Sequence, residues 1–157
     1  MPSATPASST IPTPLPPSCP AWRDNPLHTL EITSQSPQEF IDITAAVRRA
    51  IRSTGVRDGS ALLFVPHTTA AVTLNENADS GVTRDLIVDL RRLAPASPAH
   101  RHGEGNSPAH LLSSLVGVSL TLIISEGAPL LGTWQGIYFC EFDGPRRRQL
   151  QIKVIAG

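Results

Sequence analysis

Three of the five histidines in this 157-residue chain lie in polar segments where an imidazole can bind a ligand. His67 follows an apolar run, His102 lies in a glycine-flanked stretch, and His110 falls in the first turns of a predicted helix. A neutral imidazole is a good zinc ligand, and three imidazoles with one water form a known catalytic arrangement. The glycines allow His102 to bend back toward His110. A shared metal site is one interpretation, and separate hydrogen-bonded histidines at loop ends are the alternative.

Acidic and amide side chains accompany these histidines along the sequence. Asn75 and Glu76 lie at a predicted strand end beyond His67, and Glu104 lies two residues after His102. Such groups bind a polar ligand, or a carboxylate orients a metal-bound imidazole. The alternative for residues 75–77 is an Asx-type turn that leads into a helix cap.

Trp134 and Gln135 lie between Gly132 and Gly136. Glycines let the backbone approach a ligand or another backbone closely. The indole of Trp134 can stack on a ring, and the amide of Gln135 both donates and accepts hydrogen bonds. The alternative is a core tryptophan at the start of a strand.

Several other functions find no support in the sequence. It has no glycine-rich phosphate loop with a lysine and no Gly-x-Ser-x-Gly elbow. The formal net charge is zero, which gives no electrostatic footprint for nucleic acid. The basic run at residues 146–148 is interpreted as a solvated strand entry. The apolar run at residues 120–124 is far shorter than the roughly 20 residues of a membrane-spanning helix. We expect neither nucleic acid nor membrane as a partner.

The two cysteines, Cys19 and Cys140, make no disulfide framework, so a reducing compartment is expected. Cys140 lies inside a predicted strand, which argues against a nucleophilic role. The N-terminus has no basic segment followed by an apolar stretch and does not resemble a secretory signal. These features predict a cytoplasmic protein.

Residues 1–26 hold 8 of the 15 prolines and none of the 11 glycines. Proline fixes φ and removes a backbone donor, so the segment is predicted to be a disordered tail. Residues 27–157 are predicted to form one domain. Thr44 is predicted to cap the first of three helices and Ser107 to cap the third. The second, with an apolar face, is expected to start at Asp79 or Ser80. Alternation and apolar runs predict strands at residues 28–33, 39–42, 61–65, 71–74, 119–124, 134–142 and 149–155. This order is not a regular βαβ repeat, and it predicts an α+β fold.

Three motifs in order resemble those of the YjbQ-like family, the secondary thiamine-phosphate synthase family. Residues 67–77 resemble its His-Thr-[Ser/Thr]-Ala…Leu-Asn-Glu stretch, and residues 101–110 resemble its His…Glu-Gly-Asn…Ala-His segment. Residues 132–135 resemble its Gly-Thr-Trp-Gln signature. The resemblance covers residues 28–157. It implies a split mixed or antiparallel sheet with about three helices, and a homotrimer with a polar site near the subunit contact.

The resemblance also implies roles for individual residues. It makes His67, His102 and His110 ligands of a divalent metal, zinc or magnesium. The other implied site residues are Glu76, Glu104 and Gln135 as catalytic groups, and Asn75, Asn106, Thr133 and Trp134 as ligand-binding groups.

The family name implies a weak thiamine-phosphate synthase, which joins a pyrimidine pyrophosphate to a thiazole phosphate. The pyrophosphate departs as the thiazole nitrogen attacks, so the site must stabilise a leaving anion by a metal or by donors. A small phosphorylated substrate is expected. The alternatives are a non-catalytic trimeric protein that binds a metal or small ligand, and a metal-dependent hydrolase with a zinc-bound water as nucleophile.

Overall fold

The computed structural model describes residues 26–157. The predicted disordered tail therefore lies outside the described residues, apart from Pro26. In chain order the elements are β1 (Leu27–Thr33), β2 (Glu39–Asp42), α1 (Thr44–Ser53), β3 (Gly59–Phe64), β4 (Ala70–Glu76), α2 (Ser80–Leu93), α3 (Ser107–Val116), β5 (Ser119–Ser125), β6 (Ala128–Pro129), β7 (Gln135–Glu141) and β8 (Arg147–Ala156).

The described strands form two sheets. One has five strands in the order β1-β8-β3-β5-β6, and the other has three in the order β2-β7-β4. Each described strand pair is antiparallel. The α+β fold with a split antiparallel sheet and three helices is confirmed. The two-residue edge strand β6 was not predicted, because two residues are too few to show a period.

One core lies between the two sheets and α1. Burial alternates along β8, where Leu150, Ile152 and Val154 face inward. Phe139 of β7 contributes the largest fully buried side chain. Helix α1 adds Val47 and Ile51, which lie four residues apart and so share one face. The apolar residues that recur with the helical and strand periods therefore face the same core.

The helix starts differ in detail from the prediction. Thr44 does not cap α1; its Oγ1 instead accepts a hydrogen bond from the Ile137 N–H at 2.8 Å, which fastens the helix start to β7. Helix α2 starts at Ser80, one of the two predicted positions, and Asp79 caps it by accepting from the Gly81 N–H at 2.7 Å. Asn106, rather than Ser107, occupies the cap position of α3.

Helix α2 has the predicted apolar face, but among the described residues that face is only partly covered. No residue of α2 is buried, and the side chain of Leu93 is 67% exposed. Leu90 packs partly against the small cluster around Leu112 and Tyr138. The apolar spacing of α2 is therefore present, and the described part of the chain covers that face only in part.

Within residues 26–157, none of the helices is long and apolar enough to cross a membrane.

A buried ion pair joins the two sheets. Arg148 of β8 is 6% exposed, and Glu141 of β7 is fully buried. Arg148 donates from Nε to Glu141 Oε2 at 2.7 Å and from Nη2 to Glu141 Oε1 at 2.6 Å. Because β7 and β8 belong to different sheets, this two-pronged contact fixes one sheet edge against the other.

Additional donors complete the environment of the Glu141 carboxylate. Ser34 Oγ donates to Oε2 at 3.0 Å, and the N–H groups of Phe142 and Asp143 donate to Oε1 at 3.1 and 2.9 Å. Burial alone would raise the pKa of Glu141, but the hydrogen bond from Arg148 and these other donors hold it below its ordinary value. The carboxylate is therefore ionised in the core.

Removal of one partner of this pair should be costly. Arg148→Met leaves a buried carboxylate uncompensated, and we expect the free energy of unfolding to fall by about 3–5 kcal/mol. Arg148→Met combined with Glu141→Gln should be less destabilised than the single variant, because no buried charge is left. Chemical denaturation followed by circular dichroism measures both. The control is Arg147→Met at the exposed neighbouring position, expected within about 0.5 kcal/mol of the parent. A single variant as stable as this control contradicts the assignment.

Candidate functional site

A polar pocket of about 360 Å³ holds all three predicted histidines. His67 enters it from the loop between β3 and β4, His102 from the loop before α3, and His110 from the first turns of α3. Glu104, Asn106, Asp143, Arg146 and Arg148 line the same space. Segments far apart in sequence therefore meet at one end of the three-stranded sheet.

The rings of His102 and His110 lie next to each other. Their centroids are 5.1 Å apart, and the ring planes meet at 83°. Gly105 has φ of +72° and donates its N–H to the His102 carbonyl at 3.1 Å, so the loop turns back toward α3. A left-handed residue here favours glycine.

His67 is held differently. Its Nε2 accepts a hydrogen bond from the Gln149 N–H at 2.8 Å, which leaves Nδ1 as the protonated nitrogen of a neutral ring. Burial lowers the pKa of His67, and the positive charge of Arg148 lowers it further, against a smaller opposing effect from Glu141. As a metal ligand through either nitrogen, His67 would have to give up this hydrogen bond, because its one unprotonated nitrogen already accepts from Gln149.

Asn106 connects the acidic groups of the pocket. Its Nδ2 donates to Glu104 Oε2 at 3.2 Å and to Asp143 Oδ2 at 2.9 Å. Asp143 Oδ2 also accepts from Arg146 Nη2 at 2.7 Å. The Asn106 Oδ1 atom is buried and has no hydrogen-bond partner among the described residues. An unpaired buried acceptor costs about 1–3 kcal/mol, so a donor or cation in the pocket would relieve that cost.

The described chain does not bring Glu76 and Gln135 into this pocket. In the β4–β7 pair, Ala70 lies opposite Glu141 near the pocket, whereas Glu76 lies opposite Gln135 at the other end. Six residues of strand separate the two ends by about 20 Å. The sequence order alone could not reveal this separation, because both strands pass from one end of the sheet to the other.

The remaining predicted ligand-binding residues belong to this distant end. Asn75 Oδ1 accepts the N–H of Glu76, Trp134 is 64% exposed, and the Trp134 carbonyl accepts the Asn77 N–H at 2.7 Å. Trp134 is therefore not a core residue. A Cβ at position 136 would lie 2.8 Å from Asn77. The close approach of this neighbouring segment therefore explains why the residue is glycine. The roles of Asn75, Glu76, Thr133, Trp134 and Gln135 stay predictions.

The basic run at residues 146–148 holds groups that the sequence interpretation missed. Arg147 is exposed, as a solvated strand entry would be, but Arg148 is buried and Arg146 lines the pocket. Alternate residues of a strand share one face. This two-residue period is the sequence signal that could have separated Arg147 from Arg146 and Arg148. The burial of Arg148 depends on Glu141, which no local pattern connects to it.

The described residues do not by themselves form a complete metal site. Among residues 26–157, no group of three or more His, Cys, Asp and Glu side chains is arranged to hold a metal ion. Of the three predicted ligands, the structure brings His102 and His110 together and gives His67 a backbone partner. The divalent metal therefore stays a prediction.

Cys140 is a free thiol, and it is fully buried. Burial raises the pKa of this thiol far above its ordinary value. A neutral thiol without access to solvent is not a nucleophile.

Two antiparallel sheets around one core, with a histidine-lined polar pocket at one end, define the class of this protein. Residues 28–157 match the model of the family described as UPF0047 protein YjbQ-like. The chain belongs to this family. A UPF0047 protein from Methanocaldococcus jannaschii is 52% identical over 129 residues, which cover 82% of this chain and 94% of that protein. UPF0047 protein YugU of Bacillus subtilis is 49% identical over 133 residues, covering 82% and 98%.

Solved structures show the same fold. A YjbQ/UPF0047 family protein from Clostridium acetobutylicum superposes with a TM-score of 0.79 at 49% identity, covering 82% of this chain and 99% of that one. A protein from Sulfolobus solfataricus gives a TM-score of 0.79 at 28% identity, covering 83% and 96%.

The prediction of a thiamine-phosphate synthase activity is wrong, because membership of this family does not support it. The matching family and these relatives are named only as UPF0047 proteins, and the Sulfolobus protein is described as being of unknown function. Membership therefore carries the fold to this chain but carries no transferase activity.

The neutral state of His67 can be measured. We expect its imidazole to titrate below the ordinary value of 6.5, because burial and the charge of Arg148 both oppose protonation. The unfolded chain then binds more protons as the pH falls through about 6.5, so this residue makes acidification destabilising. NMR titration measures the pKa, with the His67 signal assigned by its loss in His67→Gln. The urea-unfolded chain is the reference, and a folded value at or above it contradicts the account.

Proposed function

We propose that the pocket binds a divalent metal ion through His102 and His110, together with a small phosphorylated ligand. The observation that carries the proposal is the adjacent imidazole pair beside the unpartnered acceptor Asn106 Oδ1. Buried polar groups in native proteins are normally satisfied. An acceptor without a partner in a polar pocket therefore supports a bound cation or donor.

The ligand types favour zinc over magnesium. Imidazole suits zinc, while magnesium prefers oxygen ligands and keeps several waters. Zinc–nitrogen bonds are about 2 Å long, and a separation of 5.1 Å between the ring centroids is compatible with two rings on one ion. Glu104, a group from another chain, or His67 after loss of its hydrogen bond from Gln149 would supply a third protein ligand.

A phosphorylated ligand fits the remaining groups. Arg146 lines the pocket and is half-exposed. Its guanidinium can therefore bind an anion while it keeps its ion pair with Asp143. Arginine binds phosphate with paired, directional N–H donors. A metal ion would add a second positive centre for the phosphate oxygens. The metal and the arginine would therefore share the anion.

The proposal includes assembly as a homotrimer. The outer face of the five-stranded sheet carries exposed apolar side chains on three neighbouring strands, with Leu62 and Phe64 on β3, Ile123 on β5 and Ile155 on β8. Monomeric proteins rarely expose large contiguous apolar patches. A second cleft, of about 670 Å³, runs from Phe64 to His67 and His110. A neighbouring chain on this face would lie beside the histidines and could complete the site.

We also propose a cytoplasmic location. The free thiol of Cys140, buried in an apolar cluster, agrees with a reducing compartment.

Loss of either paired histidine should weaken metal binding. We expect His102→Ala and His110→Ala each to lower the affinity for zinc by more than about tenfold, since each removes a direct ligand. Competition with a chromophoric chelator measures the affinity. The control is His100→Ala, an exposed position outside the pocket in the same loop. A parent that binds no zinc, or an equal loss in the control, contradicts the metal site.

The anion is tested on the zinc-loaded protein by calorimetric titration with inorganic phosphate. Arg146→Gln should weaken phosphate binding, whereas Arg147→Gln, with the same charge change outside the pocket, should not. Equal effects of the two variants contradict a phosphate site in the pocket.

Assembly through the sheet face predicts sensitivity to a buried charge. Ile123 is 62% exposed in the single chain, and Ile123→Asp would place a carboxylate in the proposed interface at a high desolvation cost. We expect the parent to elute as a trimer and this variant as a monomer in size-exclusion chromatography with light scattering. Ala45→Asp, exposed on α1, is the control and should stay trimeric. A monomeric parent, or a trimeric Ile123→Asp variant, contradicts the interface.

A further inference from the structure

A third cleft, of about 420 Å³, lies away from the histidines, between the end of α1 and the turn that joins β5 to β6. Arg48 and Arg52 of α1 line it together with Arg57 of the following loop. Glu126 and Gly127 form the opposite wall. Three arginines thus line one concave surface, to which neither the sequence motifs nor the family membership assigns a role.

Several other arginines have side-chain ion pairs, and the three arginines of the cleft differ from them in this respect. Arg92 and Arg146 bind neighbouring aspartates, and Arg148 binds Glu141. Within residues 26–157, no hydrogen bond or ion pair engages the guanidinium of Arg48, Arg52 or Arg57. Like charges gathered in one cleft repel one another. An anionic ligand would offset that repulsion and use donors that the fold leaves free.

The backbone around the cleft is fixed. The Gly127 N–H donates to the Arg57 carbonyl at 2.8 Å, which joins the two walls. Thr54 Oγ1 accepts from the Val56 N–H at 3.2 Å, and Val56 packs against the main core. Arg48 and Arg52 are four residues apart and project from one side of α1. The arginines therefore extend from a rigid frame, which lowers the entropic cost of binding.

The charges in the cleft set the class of ligand. The Glu126 carboxylate leaves a net charge of +2 on the four ionisable side chains. The C-terminal end of α1 adds a partial negative charge of about half a unit. An anion with one charge gains little from such a site, whereas one with several adjacent charges can engage more than one guanidinium. The chain's zero net charge offers no wider basic surface for a nucleic acid.

We propose that this arginine cleft binds a small polyphosphate-type anion and recognises a pyrophosphate unit. Guanidinium groups bind phosphate oxygens through paired N–H donors. Two linked phosphates can span Arg48 and Arg52 on the helix while Arg57 approaches from the loop. This site is independent of the histidine pocket and requires no metal.

Calorimetric titration of the full chain with sodium pyrophosphate tests the proposal. The protein is first treated with a chelator and dialysed against metal-free buffer, so that the histidine pocket holds no metal. We expect one binding event in the parent, with weaker binding of inorganic phosphate. The double variant Arg48→Gln/Arg52→Gln should bind pyrophosphate at least about tenfold more weakly, because two charged donors are lost.

The matched control is Arg49→Gln/Arg84→Gln, which removes the same charge from two exposed positions outside the cleft. Its pyrophosphate affinity should stay within about twofold of the parent, since neither side chain lines the cleft and exposed charges outside it are partly screened by salt. His102→Ala should also keep the parent affinity. Circular dichroism confirms that each variant is folded.

Three results would overturn the arginine cleft. One is the absence of binding by the parent at millimolar pyrophosphate. Another is an equal loss of affinity in the Arg49→Gln/Arg84→Gln control, which would indicate attraction by overall charge. The last is loss of pyrophosphate binding in His102→Ala, which would assign the anion to the histidine pocket. Failure of zinc binding at that pocket would leave the arginine cleft unaffected.

Discussion

The contact between Arg148 and Glu141 is the constraint on which the site depends. It joins β8 of one sheet to β7 of the other at a buried position, where an unpaired charge is very costly. The pair therefore keeps the two sheet edges in one relative position. Arg148 Nη2 also donates to Thr69 Oγ1 at 2.9 Å, so the segment that carries His67 is fixed by the same group.

The pocket is an extension of this core contact. Gln149, next to Arg148 on β8, donates its N–H to His67, and the charge of Arg148 helps to keep that imidazole neutral. The N–H of Asp143 donates to the Glu141 carboxylate, and the Asp143 side chain binds Asn106 and Arg146. Polar groups that stabilise the fold thus position those that face the pocket. The Sulfolobus relative has the same fold at 28% identity.

The two ends of the three-stranded sheet have different characters. One end carries the histidine pocket, and the other carries the exposed Trp134 with Glu76 and Gln135. The three sequence motifs are therefore divided between two places in a single chain. On α2 and on the outer face of the five-stranded sheet, residues 26–157 also leave apolar side chains exposed.

The sequence by itself determined the three helices, the longer strands and the order that makes the fold α+β, because helical and strand periods are local properties. It also identified the glycine turn that brings His102 near His110, only a few residues away. The tertiary structure alone decided that Arg148 is buried, that His67 has a backbone partner, and that Glu76 and Gln135 lie far from the pocket. Those outcomes depend on which strands pair and how the two sheets pack. Such contacts join residues up to about 80 positions apart in sequence, and no local pattern records them.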